Sequence, residues 1–98
     1  MTMKKPPVNE WVSARNDEAL LADGFDEAFV GVVDRFGFDG RVAVYDKDKC
    51  IKILVDRDGL SHEEALEHFE FNVIGAWVGE YTPMYMNMYQ PEGNEIWS

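Results

Sequence analysis

Apolar residues recur at steps of three and four along the second half of the chain, and the interruptions between them carry turn chemistry. Ile51, Leu54 and Val55 form one such stripe beside Cys50, while Lys47, Lys49, Lys52 and Asp56 fill the remaining positions. That pattern predicts an amphipathic helix from an Asp46 cap to about Arg57, stopped by Asp58-Gly59. Ala65, Leu66, Phe69, Val73, Ile74 and Trp77 form a second stripe, with Glu63, Glu64, Glu67 and Glu70 on the wet side. Ser61 and Glu64 have the spacing of a capping box, so the second helix is expected to start at Ser61. It is expected to run to a Gly79 cap, with Asn72 and Gly75 as weak points.

Around this helical hairpin the periodicity changes. Arg41-Val42-Ala43-Val44-Tyr45 is short, β-branched and bounded by Gly40 and Asp46, which predicts a strand. Thr82-Pro83 ends helical structure, and Met84–Tyr89 alternates weakly, predicting a second strand able to pair with the first. Phe25, Ala28, Phe29, Val32, Val33 and Phe36 fit a helical stripe. Gly31 and three β-branched valines make a strand at Ala28–Val33 the alternative. Ser13–Ala22 reads as a short helix ending before Gly24, Phe36–Gly40 as a loop, and Gln90–Asn94 as another. Residues 1–10 hold two prolines and few apolar groups, and read as an extended arm, with Trp11 and Val12 as its anchor to the body. The expected fold is α+β: a single domain over residues 11–98 with two or three helices packed on a small antiparallel sheet.

Composition sharpens this picture. The 98 residues include 46% hydrophobic and 13% aromatic residues, enough for one modest core rather than a disordered chain. The formal charge of −10 argues against nucleic acid and anionic membrane surfaces as partners, since both require a basic face. The single cysteine, Cys50, allows no internal disulfide and is read as a small core residue. No long apolar span or leader pattern occurs, so a cytoplasmic location is expected.

Candidate chemistry is sparse. Asp56–Glu64 faintly resembles a calcium loop, but with Gly59 as its sixth position the first and last ligands would be Leu54 and Ala65, which cannot coordinate. His62, Glu64 and His68 are metal-ligating types, yet His62 points away from the other two on a helix and the required third or fourth ligand is missing. No nucleophile motif, phosphate-cradling glycine loop or apolar-tuned carboxylate pair is present. The chain is therefore expected not to be an enzyme and to need no cofactor or metal. The more distinctive feature is the run Met84, Met86 and Met88, with Tyr81, Tyr85 and Tyr89 interleaved. On a strand the methionines line one face, and one of the two faces must remain outside the core. Met-rich and Tyr-rich surfaces adapt readily to partners. The contact surface is expected at Tyr81, Met84, Tyr85, Met86, Met88, Tyr89 and Trp97.

The segments Val44-Tyr45-Asp46, Asp58-Gly59-Leu60-Ser61-His62-Glu63-Glu64-Ala65, Phe71-Asn72-Val73-Ile74-Gly75-Ala76-Trp77-Val78-Gly79-Glu80 and Thr82-Pro83 follow in an order that resembles a family of small bacteriophage and marine viral proteins with no assigned activity. The resemblance covers about the second half of the chain, and it implies a viral origin and expression in the cytoplasm of a bacterial host. It carries over no functional residues. A non-enzymatic accessory protein acting by protein binding, or by self-association into a homo-oligomer, is the expected function. One alternative is an acidic inhibitor of a host nucleic-acid-binding protein, with Glu63, Glu64, Glu67 and Glu70 mimicking phosphates. The other is a small enzyme or metabolite binder, which requires a preformed pocket with convergent polar groups.

Overall fold

The computed structural model describes residues 7–34, 41–76 and 78–89. Three strands, β1 (Phe29–Val33), β2 (Val42–Asp46) and β3 (Met84–Met86), form one sheet in the order β1-β2-β3. Three α-helices accompany them: α1 (Val8–Ser13), α2 (Lys47–Asp58) and α3 (His62–His68), the last continued by a π-helical segment, Phe69–Ile74. The domain is α+β, as its patterning predicts. Its sheet, however, is mixed rather than antiparallel. β1 runs antiparallel to β2, whereas β3 runs parallel to it, with Val44, Tyr45 and Asp46 opposite Met84, Tyr85 and Met86. Parallel neighbours need a crossover of a dozen or more residues, and the helical hairpin with the loop beyond it supplies one.

β2 is the central strand and all five of its residues are buried. Ala43 and Tyr45 face the main core, where they meet Cys50, Ile51 and Leu54 of α2, Ala65 of α3, Phe69, Phe25 and Ala28. The aromatic rings interlock, Phe29 with Tyr45 and Phe69 with Tyr85 edge to face and Tyr45 with Tyr85 tilted. Phe29 lies 5.6 Å from Tyr45, and Phe69 lies 5.1 Å from Tyr85, which itself sits 5.9 Å from Tyr45. Trp11 of α1 packs edge-on against Phe29 at 5.8 Å, and Val12 beside it is buried, so both anchor the N-terminal region as their apolar character suggests.

The hairpin forms as its local signals dictate. The Asp46 carboxylate accepts the Lys49 amide at 3.2 Å, and Gly59 closes α2 in the left-handed conformation at φ +71°. The Ser61 hydroxyl accepts the Glu64 amide at 3.1 Å, while the Glu64 carboxylate accepts the Ser61 amide at 2.9 Å, completing the capping box. Ser61→Ala removes one of these bonds and is expected to cost about 1 kcal/mol, visible as a melting-temperature drop of roughly 4–8 °C. A thermal melt followed by circular dichroism checks this, and an unchanged midpoint would show that the cap is redundant.

Four expectations are corrected. First, Val8–Glu10 belong to α1 rather than to an extended arm. Second, Ser13–Ala22 is not a helix beyond Ser13. Asn16 accepts the Glu18 amide at 3.1 Å through its side chain and donates to the Arg41 carbonyl at 2.8 Å, tying the segment to the start of β2. Such side-chain bonds offer the backbone an alternative to the helix. Third, the stripe from Phe25 divides into a single 3₁₀ turn, Asp26–Ala28, and then β1. The consecutive valines and Gly31 favour the strand, and a bulge at Val30 lets Phe29 share the core face with Tyr45.

Fourth, the second helix changes character at Phe69 and ends at Gly75 instead of Gly79. A Cβ at Gly75 would stand 3.0 Å from the Phe71 carbonyl oxygen and 3.4 Å from that of Glu70, so the widened turn closes around a residue with no side chain. Gly79 instead sits at φ +121° in a turn pinned by Thr82, whose amide and hydroxyl both donate to the Gly79 carbonyl, at 3.1 and 2.6 Å. Trp77 and the expected loops at 36–40 and 90–94 lie outside the described residues, apart from the glycine-rich stretch's exit at Arg41.

Candidate functional site: an outward methionine row on an edge strand

β3 lies at one edge of the sheet, and its alternation separates two surfaces. Tyr85 turns inward onto Tyr45 and Phe69, and burial pushes its phenol up to about 12, with lesser contributions from Cys50 and Tyr45. Tyr85 therefore belongs to the core and does not join the outward contact surface expected of it. Met84 and Met86 point the other way and are exposed, Met84 at 49%. Met88 and Tyr89 follow the strand and are also exposed, Tyr89 at 77%. Tyr81 is half-buried in the turn before the strand, where its carbonyl accepts the Leu20 amide at 3.2 Å. Trp97 lies outside the described residues. The expected surface thus contracts to Met84, Met86, Met88 and Tyr89, with Tyr81 at its margin.

The physical reason for the row is the position of β3. Its inner face meets the aromatic core through Tyr85, and no helix of the described residues is placed to cover the opposite side chains of Met84 and Met86. Contiguous exposed apolar groups on a small domain mark interaction surfaces more often than solitary ones do.

Other candidate chemistry is accounted for by pairing or burial. Cys50 is fully buried, and desolvation with the Asp46 carboxylate beside it pushes the thiol up to about 12. That is the opposite of a reactive thiolate. Among the described residues no three His, Cys, Asp or Glu side chains gather around a common point fit for a metal ion. His68 lies 3.3 Å from the Asn72 amide nitrogen, on the exposed side of the hairpin.

A cleft of about 710 Å³ separates the Gly24–Glu27 segment from α2 and is lined by Asp26, Glu27, Lys49, Lys52, Asp56 and Arg57. Two of its cations are paired, Lys52 with Asp56 at 3.2 Å and Arg57 with Asp58 at 2.9 Å. Arg57 also donates to the Gly24 carbonyl at 3.0 Å and lies 5.6 Å from the centre of the Phe25 ring. It works as a strut between the loop and α2. Gly24 is needed for this approach, since its φ is +87° and a Cβ there would come within 2.7 Å of the guanidinium.

The molecule is thus a small α+β domain whose most distinctive described surface is an apolar row on an edge strand. No protein-family model, curated protein or solved structure matches the chain. Among the described residues, no helix is long and apolar enough to cross a membrane.

Proposed function

We propose that this chain is a small non-enzymatic accessory protein, of the kind its sequence resembles in bacteriophage genomes, acting in the cytoplasm of a bacterial host. It works by binding a protein, or a second copy of itself, through β3 and the residues that follow. The observation that supports this reading is the outward row of Met84, Met86 and Met88 with Tyr89 beside it. Thioether side chains are unbranched and polarisable, so such a row can repack against partners of different shape.

The test is a double variant, Met84→Ser with Met86→Ser. Both side chains are exposed, so the melting temperature should stay within a few degrees of the parent. Sedimentation velocity over a wide concentration range and capture of bacterial host proteins on immobilised chain are compared for parent and variant. The parent should associate in at least one assay, and the variant should lose that association about tenfold or more. A parent that stays monomeric and captures nothing, or a variant that associates as well as the parent, would overturn the reading.

The acidic-inhibitor alternative retains support from the exposed Glu63, Glu64 and Glu67 of α3, although Glu70 is already paired with Lys47 at 3.2 Å. It expects host-protein capture that weakens steeply with salt. Capture indifferent to salt would remove it.

A further inference from the structure

The π-helical segment Phe69–Ile74 separates two concavities that meet at Asn72, a residue lining both. On one side is an apolar groove of about 510 Å³, formed by Leu20, Leu21, Phe25, Val73, Val78 and Pro83 among others. On the other is a shallower depression of about 460 Å³ lined by Leu60, Phe71, Glu64 and Glu67. Phe71 stands at 77% exposure and Val78 at 63%, with Leu20 and Ile74 also exposed nearby in the fold. These apolar groups are kept out of the core by the backbone. Phe71 follows the buried Phe69 by two residues, which on a helix places it on roughly the opposite face, towards solvent. The Gly79–Thr82 turn then holds Val78 at the rim, its amide donating to the Thr82 hydroxyl at 3.0 Å.

The fixed charge around these concavities is mainly acidic. Neither lining contains a lysine or arginine; Asp23 lines the first, and Glu64 and Glu67 line the second together with His68. Lys47, on the same hairpin, is paired with Glu70 at 3.2 Å. A second copy of the chain would bring a further formal charge of −10 to this face, and Lys52 and Arg57 are already paired with acids on their own copy. An occupant that matches both features must supply apolar side chains to the groove and cations to its rim.

We propose that this face, distinct from the methionine row, is a docking groove for a basic amphipathic segment of a partner protein. Apolar side chains of that segment enter between Leu20, Val73 and Val78, and its lysines or arginines lie over Glu64, Glu67 and Asp23.

The test uses three fluorescein-labelled synthetic peptides and the full chain, read by fluorescence anisotropy. One peptide is a leucine–lysine amphipathic helix, the second its leucine–glutamate counterpart, and the third a serine–lysine peptide of equal charge. The leucine–lysine peptide should bind at least about tenfold more tightly than either of the others. Ala76→Arg, at an exposed position of the groove, should weaken it about tenfold or more by occupying the groove and repelling the lysines.

Glu64→Gln with Glu67→Gln should weaken it several-fold and flatten its salt dependence, since glutamine preserves the capping box. Met84→Ser with Met86→Ser should leave it unchanged, which separates this groove from the β3 surface. Equal binding of the serine–lysine peptide would reduce the effect to bulk charge, and equal binding of the leucine–glutamate peptide would reduce it to apolar adhesion. Either result overturns the proposal, as does Ala76→Arg without effect. Failure of the leucine–lysine peptide to bind also overturns it, including the case where the pure protein dimerises through contacts that Ala76→Arg abolishes, which would give the groove to a second copy.

Discussion

Replacing Tyr45 with alanine should cost about 3–5 kcal/mol and leave the domain close to unfolded at 37 °C. Tyr45 is fully buried in the central strand β2 and joins three parts of the molecule. Its ring contacts Phe29 of β1 and Tyr85 of β3, and its hydroxyl accepts the Ala22 amide at 2.9 Å from the segment before β1. Truncation removes the ring from all of these neighbours at once and leaves a cavity that the flanking strands cannot fill without breaking register. Tyr45→Phe isolates the polar component. It keeps the ring but deprives the part-buried Ala22 amide of its acceptor, for an expected loss of about 1–3 kcal/mol. Urea titrations of the three proteins supply the comparison. If Tyr45→Ala fell by less than Tyr45→Phe, the aromatic cluster would not be the organising contact of the sheet.

The second large effect is alkaline unfolding. Cys50 and Tyr85 are each pushed up to about 12, chiefly by burial, from ordinary values of 9.0 and 10.0. Burial also raises Tyr45, partly offset by the Ala22 hydrogen bond. All three hold their protons more tightly in the folded state than in the unfolded one. Their contribution is therefore complete below the unfolded-state values and is lost as pH rises beyond them, towards about 12 for Cys50 and Tyr85. Stability should be flat with respect to these groups near neutrality. Above their unfolded-state values it should fall by roughly 1.4 kcal/mol per pH unit for each group.

Urea midpoints between pH 7 and 11 check this, and Cys50→Ala should make the first part of the decline shallower. A midpoint that holds steady up to pH 11 would mean that the thiol and phenols ionise freely in the folded protein. The same burial should leave Cys50 unreactive towards a thiol reagent at pH 8 unless the protein is unfolded.

The two surface readings depend on different physics and can fail separately. The β3 row relies on adaptable apolar contact, whereas the groove beside the π-helical segment adds a demand for positive charge. Serine at Met84 and Met86 tests the first, and arginine at Ala76 tests the second. Neither substitution enters the aromatic core, so both can be interpreted against an intact fold.

The caps of the helical hairpin were legible in the chain, although the π-helical turn at Phe69 was not. Asp46, Gly59 and the Ser61–Glu64 box act within a turn or two of their own positions, so nothing distant can override them. Cys50 as a core residue and the strand at Val42–Tyr45 followed equally from immediate neighbours. The segment from Phe25 was ambiguous because Phe25, Ala28 and Phe29 satisfy a helical step and a turn-then-strand path alike; pairing with β2 resolved it. Nothing local marked Asn16 as a tether, and only the fold brings its side chain to the Arg41 carbonyl.

The candidate surfaces divide in the same way. Alternation alone placed the methionines of Met84–Met86 on one face and Tyr85 on the other, since strand side chains alternate whatever the partner. Which face would be buried depended on Phe69 and Tyr45 arriving from other elements to enclose Tyr85. The direction of β3 and the groove beside the π-helical segment were decided by tertiary structure too. Both depend on how the chain returns across the domain after Gly75, and residues distant in sequence meet there through contacts that no local pattern encodes.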